Sequence, residues 1–227
     1  MGEKIQFGGQ ADDSWEGGFF AVPARRQSYL NIVYLLLSFP LGIFYFVFLV
    51  TGFSVGIGLS VIGVGLLILL LAMTAMRGFA SWERQLGDWL LGAHIPPPNP
   101  GPELKRPLKA LKKHIVDSYT WKSLIYFMIK FPLGIFSFVL AISLMSFSLA
   151  LLLTPLLYRS LPIHFFDWRI TSAEASLFCL AIGLILVFLT FHIMNGLAAI
   201  HRALASAMLA GTPAERAEAR KGPIVIP

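Results

Sequence analysis

Charge is what this chain of 227 residues lacks: Asp, Glu, Lys and Arg together make up 13% of it, against about 25% in an ordinary soluble domain. The deficit is concentrated. None of these four residue types occurs from Asn31 to Met76, from Leu133 to Tyr158, or from Ala175 to Leu197. Uncharged apolar runs longer than about 18 residues read as segments that cross a bilayer. A soluble domain is thereby excluded, and an all-α integral membrane protein is expected. Cysteine is nearly absent as well. Cys179 alone cannot form an internal disulfide or a thiolate metal site, and its apolar neighbours mark it as a small core residue. No carboxylate falls within the apolar runs, and His164, Asp167, His192 and His201 have no companions at metal-ligand or catalytic spacing. The expectation is a non-enzyme with no cofactor and no metal, in which His192 and Asn195 make polar contacts between helices. The first apolar run is too long for a secretory signal and lacks its cleavage site. Arg25-Arg26 ahead of it reads as a cytoplasmic anchor.

The stretch 31–76 is too long for one crossing, since a helix rises about 1.5 Å per residue and the apolar core is about 30 Å thick. It is expected to be a hairpin of spans 30–50 and 54–76, turning at Thr51-Gly52-Phe53-Ser54, where small and polar residues cluster. A third span runs from Trp121 to at least Met145, and a fourth covers 174–196. The third should break near Thr154-Pro155, because proline lacks the amide proton. A short external segment, Tyr158 to Ser172, follows it. Basic residues set the orientation. Three lie in the N-terminal arm, eight in 77–122 and four in the C-terminal tail, against only Arg159 and Arg169 on the other side. Positive charge is retained in the cytoplasm, so both termini are expected inside the cell inner membrane. The net charge of +6 then faces the inner leaflet, and nucleic acid is not an expected partner.

Proline and glycine recur in a pattern. "FPLGIF" is written at 39–44 and again at 131–136, an offset of 92, with Tyr34 then falling on Tyr126 and Phe46 on Phe138. A second match, "GFASWERQLGDWLLGA" (78–93) against "GLAAIHRALASAMLAG" (196–211), has an offset of 118. The chain therefore reads as two repeated hairpins, each followed by a cytoplasmic interfacial amphipathic helix. Repeat one is 29–93, a Pro-rich linker and basic helix occupy 94–118, and repeat two is 119–211. A flexible cytoplasmic arm (1–28) and a tail (212–227) flank them.

Four groups of residues stand out. Pro40, Gly42, Pro132 and Gly134 are expected to be hinge or packing positions: each proline frees a carbonyl four residues back, and each glycine admits a neighbouring backbone. Gly52, Gly56, Ser60 and Gly63 form a small-residue stripe, expected in the second span as a helix-contact face. Lys130, inside the third span, is expected to snorkel to the headgroups or meet an anion. In the helix 78–93, Phe79, Trp82, Leu86, Trp89 and Leu90 are expected on one side, with Glu83, Arg84 and Asp88 opposite, as suits a helix lying in the interface. "HIPPPNPGP" (94–102) reads as a stiff spacer. Beyond it, Lys105, Arg106, Lys109, Lys112 and Lys113 surround an apolar face and are expected to rest on anionic lipid.

The stretches "TWKSLIYFMIKFPLGIFSF" (120–138), "FPLGIFYFVFLVTG" (39–52), "RGFASWERQLGDWLLGAHIPPP" (77–98) and "LLLTPLLYRSLP" (151–162) resemble the bacterial "putative sensor" membrane domain. That domain commonly precedes two-component histidine kinases and also stands alone. The resemblance covers about residues 28–211 and implies membrane sensing. The sixteen residues after Gly211 hold no kinase dimerisation helix or ATP-binding domain, so output is expected to pass through another protein. The expected function is a sensory or regulatory module that responds to a lipophilic ligand or to bilayer state. Its partners would be membrane lipids and a kinase, transporter or larger complex. The alternative is a non-catalytic accessory subunit of such a complex.

Overall fold

The computed structural model describes residues 25–96, 116–158, 164–165, 168–169 and 172–210. The N-terminal arm to residue 24, the basic residues Lys105, Arg106, Lys109, Lys112 and Lys113, and the tail from 211 lie outside the described residues.

Four long helices carry the fold. Helix α1 is Arg26–Gly58, and a single turn of tighter 3-10 helix, Leu59–Ile62, leads into α2, Val64–Leu86. Helix α2 runs on through a wider π turn, Gly87–Leu91. Helix α3 is Ser118–Leu157 and α4 is Ala173–Leu209. Between them lie two-residue strands, β1 (His164–Phe165) and β2 (Trp168–Arg169), paired antiparallel with His164 opposite Arg169. Each long helix is apolar enough to cross a membrane, over 37, 28, 40 and 37 residues respectively.

Two expectations need correction. The first turn falls at Leu59–Gly63, not at Thr51–Ser54. Gly63 ends the helix because its φ of +81° is the left-handed conformation that side chains resist. The earlier small residues serve packing instead: a Cβ on Gly52 would lie 3.2 Å from Ala72 Cβ, and one on Gly56 2.7 Å from Leu69 Cγ. The stripe therefore belongs to the end of α1, with Ser60 in the 3-10 turn and Gly63 beyond it, and not to the second span. Second, residues 78–86 are the continuation of α2, not a separate interfacial helix. No breaker interrupts them, and the buried stripe Met76, Ala80, Glu83 carries straight on. Pro155 stands in the last turn of α3, which ends at Leu157, close to the expected break. A proline in the last turn removes only one amide, and α3 ends soon enough to leave little ladder beyond it.

The chain divides into two compact units. The larger comprises the described residues between 30 and 143 together with 194–210. Its core gathers Tyr45, Met76, Ala80, Tyr126, Phe127 and Leu209. Helices α1 and α3 touch backbone to backbone within it. A Cβ on Gly42 would lie 3.2 Å from the Lys130 carbonyl oxygen, and one on Gly134 would lie 2.6 Å from that of Ser38. Phe39 stacks on Phe138 (4.7 Å between centroids) and Phe46 on Phe131 (4.4 Å), one pair on each side of the crossing. Pro40 and Pro132 lie inside unbroken helices at this contact. Asp117 caps the start of α3, accepting from the Thr120 amide (3.2 Å) and hydroxyl (2.9 Å). It also pairs with Arg77 of α2, whose guanidinium lies 4.9 Å from the Tyr119 ring centre.

The smaller unit comprises residues 25–29 and the described residues between 144 and 193. Leu151 and Cys179 form its core, and a Cβ on Gly183 would lie 2.9 Å from Leu151 Cβ. Ser148 and Thr190 hydroxyls meet at 3.1 Å, and Tyr29 packs edge-on against Phe191.

Candidate functional site: a buried ion pair among tyrosines

Lys130 does not snorkel. Its side chain is fully enclosed, as is that of Glu83, and its Nζ pairs with Glu83 Oε1. The anion it meets is thus the chain's own, and the expected headgroup contact is corrected. An ammonium stays inside an apolar bundle only when a carboxylate and further polar partners receive it, and here they do. Tyr34 donates to Glu83 Oε1 at 2.8 Å and Tyr126 donates to the same oxygen at 3.1 Å. Tyr45 donates to Oε2 at 3.2 Å. Lys130 Nζ donates a second bond to the Tyr34 hydroxyl at 3.0 Å and lies 4.8 Å from the centre of that ring. The carboxylate therefore accepts from three hydroxyls and one ammonium, and the cation has an oxygen neighbour and an aromatic face. The net charge of the cluster is zero.

Helix periodicity delivers these groups to one place. Tyr34 and Tyr45 are eleven residues apart on α1, three turns of helix, so they share a face. Tyr126 and Lys130 are four apart on α3. On α2 and the π turn that follows it, Ala80 and Gly87 flank Glu83 on the buried stripe. The expected division of this segment into an apolar and a polar side is corrected accordingly. Glu83 is buried, whereas Trp82 and Trp89 are 53% and 77% exposed.

A second polar group lies alongside. His201 of α4 is buried, its Nε2 is 2.9 Å from the Ser137 hydroxyl, and its ring meets Tyr34 edge-on at 5.5 Å. Asn31 of α1 donates to Asn195 of α4 at 2.9 Å. Ser38 is fully buried and, among the described residues, its hydroxyl has no hydrogen-bond partner. Sequence reasoning singled out Lys130, but it missed Glu83, the three tyrosines and His201 as a site. The signal was available: an intramembrane lysine needs a counter-ion, and Glu83 is flanked by small residues at helical spacing.

His192 bonds the Phe188 carbonyl within its own helix at 2.9 Å. Among the described residues no group of three or more His, Cys, Asp or Glu could hold a metal ion.

Four apolar helices enclosing a paired charge define a multi-pass helical membrane protein. More particularly, the chain belongs to the family described as "Putative sensor", whose profile matches residues 34–209. Neither the curated proteins nor the solved structures compared with it gave a match.

Proposed function

We propose that this protein is a membrane-embedded sensory module that responds to a lipophilic ligand or to the state of the bilayer and acts through a partner protein. The family supports a sensory role, and nothing in that role requires catalysis. The observation that carries the reading is the Lys130–Glu83 pair, enclosed among Tyr34, Tyr45 and Tyr126. A buried ion pair is weak as a source of stability, because desolvation offsets most of its attraction. It is strong as a register device, since the two helices that bear the charges cannot slide without separating them. A stimulus that binds one arrangement of α1, α2 and α3 better than another shifts the balance by that difference in affinity. The pair makes the alternatives discrete.

The repeated hairpins and the inner-membrane orientation with both termini in the cytoplasm belong to the same proposal. The basic residues of 77–122 favour it, and outward-facing Trp82, Trp89 and Trp121 suit the headgroup level. The basic segment around Lys105–Lys113 would then lie on anionic lipid or on the partner.

Two measurements test this. Native mass spectrometry from mild detergent should find the protein carrying retained lipid or lipophile. A fixed stoichiometric partner and no bound lipid would favour the accessory-subunit role instead. A His94→Cys variant in a Cys179→Ala background should react with a membrane-impermeant maleimide only from the cytoplasmic side. Labelling from outside would reverse the topology.

A further inference from the structure

Contacts in the larger unit repeat under the two offsets that the sequence carries. Every residue of α1 buried between Asn31 and Leu49 has a buried counterpart 92 positions on, between Ser123 and Ala141, and no other residue of that second stretch is buried. On the offset of 118, Met76, Ala80, Glu83, Gly87 and Leu91 fall on Met194, Ala198, His201, Ala205 and Leu209, all buried, with Leu197 the one addition. The pairings are reciprocal. Phe39 with Phe138 is the image of Phe131 with Phe46. Gly42 abuts Lys130 and Phe131, while Gly134 abuts Ser38 and Phe39. Tyr45 bonds Glu83, and its counterpart Ser137 bonds His201.

Under the same correspondence, Lys130 answers to Ser38 and Glu83 to His201. The unit therefore holds the same polar position twice, in unequal form. One copy is an ion pair whose carboxylate accepts from Tyr34, Tyr45, Tyr126 and Lys130. The other holds no ion pair among the described residues: His201 shares a hydrogen bond with Ser137 and makes an edge contact to Tyr34. Among the described residues, the buried hydroxyl of Ser38, where the second lysine would stand, has no hydrogen-bond partner.

We propose that the two halves of this unit are related by an internal two-fold and that the inequality of the twin sites decides which helix end moves. The end of α2, Ala80–Leu91, is the fixed one. The end of α4, Ala198–Leu209, is the one released when the module switches. A partner that reads the change would do so at this end of α4. This rests on the sensory reading for the purpose of the motion and not for its existence.

Hydrogen–deuterium exchange on the full chain in detergent tests it, compared at Ala80–Glu83 and Ala198–His201, both well inside their helices. Amides of the α4 segment should exchange at least tenfold faster than those of the α2 segment. The pair is then moved to the twin site by Glu83→His, Lys130→Ser, Ser38→Lys and His201→Glu together, which should reverse the ranking. Rates within threefold of one another in the native chain would overturn the proposal, as would a relocated pair that leaves the ranking unchanged. So would a relocated pair that does not fold while Glu83→His/Lys130→Ser alone does, because a two-fold unit accepts the pair at either site. Should the ranking and its reversal hold while no lipid is retained and a fixed partner is found, the sensory reading falls and this inference stands.

Discussion

Replacing Glu83 with alanine should destabilise the protein by about 3–5 kcal/mol, the cost of leaving a buried charge without its partner. Among the described residues, Lys130 would keep only the Tyr34 hydroxyl as a hydrogen-bonding partner, in a place its side chain cannot leave for water. The reverse change, Lys130→Ala, should cost less. Glu83 would still accept from three tyrosine hydroxyls, and hydrogen bonds to a charged group contribute about 1.5–3 kcal/mol each. Removing both charges with size-matched Glu83→Gln and Lys130→Met should recover much of the loss, because no buried ion then remains. Unfolding in mixed detergent micelles, followed by circular dichroism, measures all four proteins. The expected order of stability is wild type and double variant above Lys130→Ala, with Glu83→Ala lowest. If Glu83→Ala unfolds with the wild type, the pair is not enclosed in the protein as it exists. If the double variant matches the stability of the wild type but loses retained lipid, the charges serve register and sensing more than stability.

The gross architecture was legible because its signals are long-range averages. Three uncharged runs, the first long enough for two crossings, each draw on many residues, and no single environment can overturn them. The site was not legible because it depends on which way one residue faces. Glu83 lies between Trp82 and Arg84, in a segment whose charged residues read as a solvated side. What reverses that reading is the tertiary pairing of a carboxylate with Lys130, 47 residues away, and hydroxyls from α1 and α3 complete it. Amphipathic periodicity says that a helix has two faces. In lipid it does not say which is inside, since the outward face is apolar too. The segment around Glu83 illustrates this: Trp82 and Trp89 face outward, and the charged residue Glu83 lies on the buried face. The turn was misplaced for a related reason. Gly52 and Gly56 suit a turn and a close helix contact equally well by type, and only the left-handed backbone at Gly63 separates the two uses.

That ambiguity of glycine gives a graded prediction along the chain. Alanine at Gly134 should destabilise by about 1–3 kcal/mol, because its Cβ would meet the Ser38 carbonyl oxygen at 2.6 Å and its carbon at 3.0 Å. Backbone atoms cannot swing aside as a side chain can, so α1 and α3 must move apart and the Phe39–Phe138 and Phe46–Phe131 stacks loosen with them. Alanine at Gly42 meets the equivalent backbone at 3.2 Å and should cost less. Gly65 is tighter still, with the Gly56 carbonyl oxygen and the Ser60 amide nitrogen both 2.2 Å from an added Cβ. Gly65→Ala should therefore prise open the tip of the α1–α2 hairpin, at the upper end of that range or beyond it. Alanine at Gly78 or Gly196, with nothing within 4 Å, should be neutral or stabilising by up to about 1 kcal/mol through helix propensity alone. Unfolding midpoints of the five variants should order Gly65→Ala and Gly134→Ala lowest, Gly42→Ala between, and Gly78→Ala and Gly196→Ala at or above wild type. A hinge at the proline-glycine motif predicts the opposite sign for Gly134→Ala, since a flexible joint gains from a residue that prefers the helix. A Gly134→Ala protein more stable than wild type would show that the crossing bends there and is not a locked contact.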